Sequence, residues 1–207
     1  MGLYSVSAIR RIFANETSPC CLPYYRGNSQ IISPTPRITR INEQNVPAFK
    51  TIRLQALRDS PTAFGSTYAC ESQFDEAEWQ KRAANLSGDR GIGFIAVDND
   101  SPFGIIGAFP DECDARTAQI VSMWVAPTHR RSGWGSVLID AVRSWAQARE
   151  IRTLRLTVTS CNYGAMEFYR QNGFAMTGKI FPYPNDPSII EYEMAQSVPP
   201  TSFADSP

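Results

Sequence analysis

The most informative segment of this chain is Met123-Trp124-Val125-Ala126-Pro127-Thr128-His129-Arg130-Arg131-Ser132-Gly133-Trp134-Gly135-Ser136. It starts as the end of an apolar strand, passes through a turn with two arginines and two glycines, and continues as an amphipathic helix. Glycines in such a turn let successive backbone N–H groups point into one concavity, and the helix N-terminus adds partial positive charge. The segment therefore predicts an anion site suited to a pyrophosphate. The alternative is a simple strand-to-helix turn with solvated arginines.

Strand and helix patterns alternate on both sides of this segment, which predicts a mixed α/β fold. The predicted strands cover residues 37–41, 92–97, 104–109, 118–125, 154–158, 174–177 and 188–195. The predicted helices run from Asn42 or Asn45 to Arg58 and over residues 75–85, 136–150 and 163–171. The third of these helices has an apolar face made of Val137, Leu138, Ala141, Val142, Trp145 and Ala146.

Composition limits the function classes that remain. Twenty Lys and Arg residues balance twenty Asp and Glu residues over 207 residues, which argues against broad binding to nucleic acid or an anionic membrane. His129 is the only histidine, so mechanisms and metal sites that need two histidines are excluded. Five cysteines without a Cys-x-x-Cys pair, and no apolar run of membrane-span length, predict a protein of a reducing compartment, the cytoplasm.

The chain ends differ in composition from the middle. Residues 1–36 contain four prolines and little periodicity, so we expect a disordered N-terminal extension. The basic, amphipathic stretch of residues 9–13 leaves an organelle-targeting segment as the alternative. Residues 199–207 are expected to form a disordered tail, which leaves one domain over residues 37–198.

A second block of residues makes the sequence similar to a known family. The first block contains Val125-Ala126-Pro127 followed by Arg130-x-x-Gly133-x-Gly135, and the second contains Leu154-Arg155-Leu156-Thr157-Val158, Asn162-x-x-Ala165-x-x-Phe168-Tyr169 and Gly173-Phe174. Both blocks resemble the acyl-CoA signature of the GCN5-related N-acetyltransferase (GNAT) superfamily, in the family's order and spacing. The resemblance covers about residues 37–196.

The resemblance implies a fold and a cosubstrate. The family fold is a strongly twisted, mixed sheet of six or seven strands with about four helices. Two central parallel strands splay apart, and acetyl-CoA lies in the gap. In this chain those strands are expected at residues 118–125 and 154–158, and the implied partners are acetyl-CoA and an amine acceptor.

The resemblance also implies roles for single residues. The backbone of Met123, Trp124 and Val125 would pair with the pantetheine arm, and the Val125 N–H would stabilise the oxyanion that forms during transfer. Asn162 would bind the pantetheine, and Tyr169 would donate a proton to the leaving thiolate, unless it is only a core aromatic residue. The pyrophosphate would be held by Arg130, Arg131, Ser132, Gly133, Trp134, Gly135 and Ser136.

The general base is not identified by the resemblance. Many relatives have a glutamate on the strand before the pyrophosphate turn, where this chain has Gln119, and an amide cannot accept the proton. Glu191 and Glu193 alternate with apolar residues on the last strand and therefore share one face. Glu191 is a candidate base or amine anchor, and the alternative is that both carboxylates are simply solvated. Asp186 lies in a predicted loop over residues 181–187, which borders the acceptor pocket in relatives, and is equally explained as a turn residue. Phe64 and Tyr68 could line the opposite wall of that pocket and are equally explained as core residues.

We therefore expect an N-acetyltransferase that acts by direct attack in a ternary complex, on the amine of a small molecule. A protein or peptide amine is the alternative acceptor, and a catalytically silent acyl-CoA-binding module is the alternative function. A thiol acyltransferase is disfavoured because His129 lies in the phosphate turn and leaves Cys161 without a partner. We expect His129 to face solvent. A homodimer is left open.

Overall fold

The computed structural model describes residues 35–88 and 90–200. The predicted extension over residues 1–36 and tail over residues 199–207 lie almost wholly outside these ranges. Within them, no helix combines the length and apolar character needed to cross a membrane. The elements in chain order are β1 Arg37–Arg40, α1 Val46–Asp59, α2 Tyr68–Glu71, α3 Glu76–Asn85, β2 Ile92–Asp98, β3 Ser101–Pro110, β4 Thr117–Val125, α4 Trp134–Ala148, β5 Thr153–Thr159, α5 Tyr163–Gln171, β6 Ala175–Tyr183 and β7 Asp186–Ser197.

The strands form one mixed sheet in the order β1-β2-β3-β4-β5-β7-β6. The β4–β5 pair is parallel and every other neighbouring pair is antiparallel. Parallel pairing joins residues 117–119 to residues 153–155 and then ends, so the two strands separate towards their C-terminal ends. The predicted sheet of six to seven strands with a splayed central pair is confirmed, and α2 adds one short helix to the four that were expected.

Local sequence signals account for several element boundaries. Asn99 and Asp100 form the turn between β2 and β3 with φ of 46° and 63°, which residues with short polar side chains tolerate best in a two-residue hairpin. The Asp75 carboxylate accepts a hydrogen bond from the Glu78 amide and caps α3. The Asn162 side chain accepts one from the Ala165 amide and caps α5 in the same way.

The core lies where α1 and α4 pack on the sheet, both against β3. The buried residues of α4 are Leu138, Ile139, Val142, Trp145 and Ala146. Val137, which was expected in this face, is 43 % exposed, and that part of the prediction is wrong. Ile139 is buried in its place. In a helix with 3.6 residues per turn, Ile139 lies on the same face as Leu138, Val142, Trp145 and Ala146.

The C-terminal hairpin is longer than the sequence indicates. The strand expected at residues 174–177 extends as β6 to Tyr183, and the expected loop over residues 181–187 is reduced to the turn between β6 and β7. Pro182 is tolerated because β6 is the edge strand of the sheet. The Tyr183 hydroxyl lies 2.8 Å from the carbonyl oxygen of Phe64, which ties this hairpin to the segment after α1.

Candidate active site

The gap between β4 and β5 exposes backbone groups of β4. The Ala126 amide donates to the Phe103 carbonyl of β3 at 2.7 Å. Successive residues of a strand point their backbone groups in opposite directions, so the N–H and C=O of Val125 face away from β3. Met123, Trp124 and Val125, the predicted pantetheine-binding residues, therefore form the last part of a strand whose side away from β3 is turned to the gap.

Six successive amides at the start of α4 form the second part of the site. The first hydrogen bond of this helix runs from the Val137 amide to the Gly133 carbonyl at 3.1 Å. The amides of residues 131–136 have no acceptor among the described residues. Arg131 and Gly133 adopt left-handed φ values of 62° and 86°, which curl the backbone ahead of the helix. Unpaired amides at a helix N-terminus fit a phosphate group, as the sequence predicts for this turn.

A glycine at position 135 is also needed for packing. A Cβ atom at this position would lie 2.8 Å from the ring of Phe168 in α5. The absence of a side chain thus lets the start of α4 approach α5 closely. This contact links the two sequence blocks, since Gly135 belongs to the first and Phe168 to the second.

Arg130 binds two groups of the protein itself. Its guanidinium forms an ion pair with Asp59 at the end of α1, and its Nε donates to the Val125 carbonyl at 2.9 Å. Asp59 also accepts a hydrogen bond of 2.8 Å from Trp124 Nε1. Burial acts to raise the pKa of Asp59, but the hydrogen bonds from Trp124, Ser60 and Arg130 outweigh it and lower the pKa. A role of Arg130 as pyrophosphate ligand remains a prediction, and Arg131 makes no ion pair with any described residue.

His129 differs from the expectation that it faces solvent. Its ring is half-buried and stacks on Phe103, with ring centroids 4.0 Å apart and an interplanar angle of 17°. Trp134 also contacts Phe103, in a T-shaped arrangement with ring centroids 5.1 Å apart. The histidine therefore holds the turn to β3 by aromatic packing.

A cavity of about 270 Å³ opens beside the gap, and we call it the β4–β5 cavity. It is lined by Gln119 and Met123 of β4, Thr157 of β5, Tyr169 of α5 and Glu191 of β7. The structure thus brings the two residues that the sequence singles out for proton transfer to one cavity. Gln119, which stands where many relatives have a glutamate, lines the same cavity.

Tyr169 is buried and faces this cavity from α5. It is 8 % exposed and packs against the rings of Phe168 and Phe174, at centroid distances of 5.3 and 5.8 Å. Burial raises the pKa of the Tyr169 hydroxyl far above its ordinary value. The hydroxyl is therefore protonated at neutral pH and available as a hydrogen-bond or proton donor.

Glu191 and Glu193 share a face of β7 but have different environments. Burial raises the pKa of the Glu191 carboxyl, and a hydrogen bond from Thr157 opposes that shift only in part. Glu191 forms no ion pair with a described Lys or Arg. Glu193 is 6 % exposed and lies 3.3 Å from Lys179 Nζ and 3.9 Å from Arg155 Nη1. Only the first carboxylate lines the β4–β5 cavity.

Of the other candidate residues, some line the cavity and some do not. Phe64 is buried and lines the cavity. Asp186 opens β7, where its carboxylate accepts hydrogen bonds from Ser188. Asn162 lies at the start of α5, and its contact with a pantetheine arm remains a prediction. Cys161 is exposed and is not among the residues that line the cavity.

Sequence reasoning missed an ion cluster at the cavity wall. Arg53 of α1 and Glu71 of α2 pair at 2.7 Å, and Arg82 of α3 approaches Glu71 at 3.2 Å. All three line the β4–β5 cavity. A signal existed for Arg53, because this charged residue lies within the buried stripe of α1. No comparable signal marks Glu71.

Comparison with known proteins agrees with this geometry. A model of the acetyltransferase (GNAT) family matches residues 54–174, which is more than half of the chain. The acetyltransferase of the GNAT family from Streptococcus pneumoniae has a crystal structure that superposes with a TM-score of 0.66 at 22 % sequence identity. The superposition covers 79 % of this chain and 99 % of that one, which shows a shared fold.

Two curated relatives are similar in sequence over part of their length. Streptothricin acetyltransferase of Escherichia coli is 28 % identical over 103 residues, which cover 44 % of this chain and 59 % of the relative. N-acetyltransferase 8B of Rattus norvegicus is 29 % identical over 98 residues, which cover 45 % of this chain and 44 % of the relative. The chain therefore spans about half the length of the curated relatives it matches.

Proposed function

Because the chain belongs to the acetyltransferase (GNAT) family, we propose that it is an acetyl-CoA-dependent N-acetyltransferase acting on a primary amine of a small molecule. The observation that carries this proposal is the β4–β5 cavity, which unites a buried tyrosine with a carboxylate of raised pKa. No cysteine or histidine of the described residues lines it, which favours direct attack in a ternary complex over an acyl-enzyme.

Acetyl-CoA would supply the activated acetyl group, and residues of both sequence blocks would hold it. The unpaired amides of residues 131–136 and the charge of Arg131 suit the pyrophosphate. The side of β4 that faces the gap at residues 123–125 suits the pantetheine arm, which can add to β4 much as a strand would, with the Val125 N–H available while the Val125 carbonyl accepts from Arg130. The side chain of Asn162 is proposed as a further pantetheine contact.

We assign the general base to Glu191. A lysine-like amine with a pKa near 10.4 must lose a proton before it attacks, which costs about 4.6 kcal/mol at pH 7. A carboxylate can accept this proton directly or through a water molecule, and a raised pKa makes it the better base near neutral pH. Gln119 lines the cavity but its amide cannot take up a proton.

We assign the general acid to Tyr169. Once Glu191 has taken the first proton, the neutral amine attacks the thioester carbonyl. As the nitrogen–carbon bond forms and the carbon–sulfur bond breaks, the second amine proton leaves for solvent, and the CoA thiolate takes a proton from the Tyr169 hydroxyl. Glu191 then releases its proton to solvent and Tyr169 regains one from solvent before the next turnover. The hydroxyl keeps its proton until then because burial raises its pKa. The two groups would thus serve opposite ends of one transfer.

We favour a small-molecule acceptor over a polypeptide. The space of about 270 Å³ is small, and polar groups of Ser66, Gln119 and Thr157 line it along with Glu191. The similarity to streptothricin acetyltransferase supports the same substrate class, over less than half of this chain. A protein or peptide amine remains the second candidate.

The decisive experiment measures the free CoA thiol released from acetyl-CoA with a panel of acceptors. The panel holds diamines, polyamines, aminoglycosides, streptothricin, amino acids and peptides with free N-termini. Turnover of one or more small amines, with little or none of the peptides, is the expected result. Binding of acetyl-CoA without turnover of any acceptor would favour the silent acyl-CoA-binding module and overturn the enzymatic proposal.

A further inference from the structure

We propose that Arg53, held by Glu71, is a positioning residue that fixes a bulge of β4 at Ser122 and thereby the direction of the backbone of residues 123–125. This inference rests on the proposed function, because it assigns the cluster an effect on acetyl transfer. Neither sequence block contains Arg53 or Glu71, and the bulge lies just before the first block.

The bulge is an irregularity of β4 with a strained residue at its centre. Ile105 of β3 pairs with Trp124, whereas Gly107 pairs with Val121, so three steps along β4 oppose two along β3. Ser122 lies between Val121 and Trp124, in the part of β4 that contains the extra residue, and has a φ of 58°. A residue other than glycine adopts this left-handed conformation only where its surroundings hold it there.

Arg53 stabilises Ser122 in this conformation. Its Nη1 donates to Ser122 Oγ at 3.2 Å. Its Nε and Nη2 donate to the two carboxylate oxygens of Glu71 at 3.0 and 2.7 Å, and its guanidinium lies 4.8 Å from the centre of the Phe64 ring. The guanidinium has little freedom to move, because Glu71 binds one of its edges through two hydrogen bonds and the Phe64 ring packs against its face.

Burial makes this arrangement rigid. Arg53 is 7 % exposed and Glu71 is fully buried, so neither charge can leave its partner for water. Burial acts to raise the pKa of Glu71, but the hydrogen bonds and charge of Arg53, with the charge of Arg82, outweigh it and lower the pKa. The carboxylate is therefore ionised at neutral pH. Side chains of α1, α2 and α3 thus form one ion cluster, and its Arg53 contacts β4 at Ser122.

The bulge determines which way the following residues face. Backbone N–H and C=O groups point in alternate directions along a strand. If the bulge were lost and β4 shifted by one residue, the N–H and C=O groups of residues 123–125 would each point in the opposite direction. The N–H of Val125 would then point at β3 instead of the gap. The hydrogen bonds of Arg53 go to Glu71 and Ser122 and not to the pyrophosphate turn at residues 131–136. We therefore expect the cluster to affect the rate of transfer more than the binding of acetyl-CoA.

Two substitutions at Ser122 separate positioning from fold stability. Ser122→Ala removes the acceptor of the Arg53 hydrogen bond and keeps the cost of a left-handed φ. Ser122→Gly removes the acceptor and that cost together. We expect Ser122→Ala to lower kcat about tenfold at a KM for acetyl-CoA within about twofold of wild type, and Ser122→Gly to recover most of the loss. Wild-type kcat for Ser122→Ala, or no recovery with glycine, would overturn the proposal.

Arg53→Lys tests the same link from its other end. Lysine keeps the charge beside Glu71 but lacks the fork that reaches both Glu71 and Ser122. The double variant with Ser122→Ala should be no slower than the slower single variant, since both changes break one link. Losses that multiply would show that the two residues act separately and would contradict the proposal.

Hydrogen exchange of the β4 amides keeps this test independent of turnover. In the wild-type protein without acceptor, residues 120–125 should exchange more slowly than in Ser122→Ala, with Ser122→Gly between the two. Equal exchange in all three proteins would overturn the positioning role. If acetyl-CoA binds but no amine is acetylated, the proposed function fails while the exchange result still decides whether Arg53 fixes the bulge.

Discussion

Glu191 and Glu193 show how one strand face can hold two carboxylates with different chemistry. Glu193 is surrounded by Lys179, Arg155 and the Thr177 hydroxyl, which donates to it at 2.9 Å. Among the described residues, Glu191 has the Thr157 hydroxyl as its hydrogen-bond partner and lies in a partly desolvated cavity wall. The alternation of β7 was evident in the sequence, but the cations that distinguish the two residues come from neighbouring strands.

The raised pKa of Glu191 leads to a prediction about pH. If it is the base, kcat/KM should fall as the pH drops through its pKa, which lies above the ordinary value of a glutamate, because the protonated acid cannot accept the amine proton. Glu191→Gln should lower kcat by about 10²-fold and remove that acidic limb. The profile of kcat/KM from pH 4.5 to 9 checks this. Glu193→Gln is the matched control and should keep the limb, and an unchanged profile in Glu191→Gln would exclude Glu191 as the base.

Tyr169 combines the two interpretations that its sequence position allows, since it is a buried aromatic residue and also lines the cavity. Tyr169→Phe removes only the hydroxyl, so the packing on Phe168 and Phe174 should persist. We expect kcat to fall about 10²-fold while the dissociation constant of acetyl-CoA changes less than about threefold, since an acid acts on the leaving group only during transfer. Stopped-flow or steady-state rates with calorimetric binding measure both quantities. An unchanged kcat would refute the acid role.

At the scale of elements, the predictable features were those set by local signals. Asp75 and Asn162 cap helices as their residue types suggest, and the Asn99-Asp100 turn lies between the strands predicted at residues 92–97 and 104–109. The features that were missed depend on distant partners. The short helix α2 places Glu71 under Arg53, and β6 continues to Tyr183 because β7 pairs with it. Neither contact leaves a periodic signal in the sequence.

The close approach of α4 and α5 gives a prediction about the element contact at Gly135. A Cβ atom there would press on the Phe168 ring at 2.8 Å, so Gly135→Ala should lower the free energy of unfolding by about 1–3 kcal/mol and weaken acetyl-CoA binding. Gly164→Ala in α5 is the control, because no atom lies within 4 Å of its added Cβ. That change should stabilise the protein slightly or leave it unaltered. Equal denaturation midpoints for the two variants would contradict the packing argument.

At the scale of the whole molecule, two parts of the sheet meet at a short seam. Strands β1–β4 and strands β5–β7 are joined through parallel pairing of residues 117–119 with residues 153–155. The sequence predicted this splay only through the family resemblance, since periodicity cannot tell a paired strand from a separated one. The same geometry explains why the candidate residues come from distant positions, with Gln119 on one side of the gap and Tyr169 and Glu191 on the other.

A ligand that fills the gap should therefore connect the two parts of the sheet and stabilise the fold as a unit. Free acetyl-CoA at a hundred times its dissociation constant should add about 2.7 kcal/mol to the free energy of unfolding, which raises Tm by about 5–10 °C for a domain of this size. Adenosine 3′,5′-bisphosphate is the control, because it carries phosphate groups but no pantetheine arm to lie along β4. It should raise Tm less at the same concentration, and only acetyl-CoA should slow amide exchange in residues 120–125. If acetyl-CoA gave no shift at any concentration, the cosubstrate proposal would fail although the fold would stand.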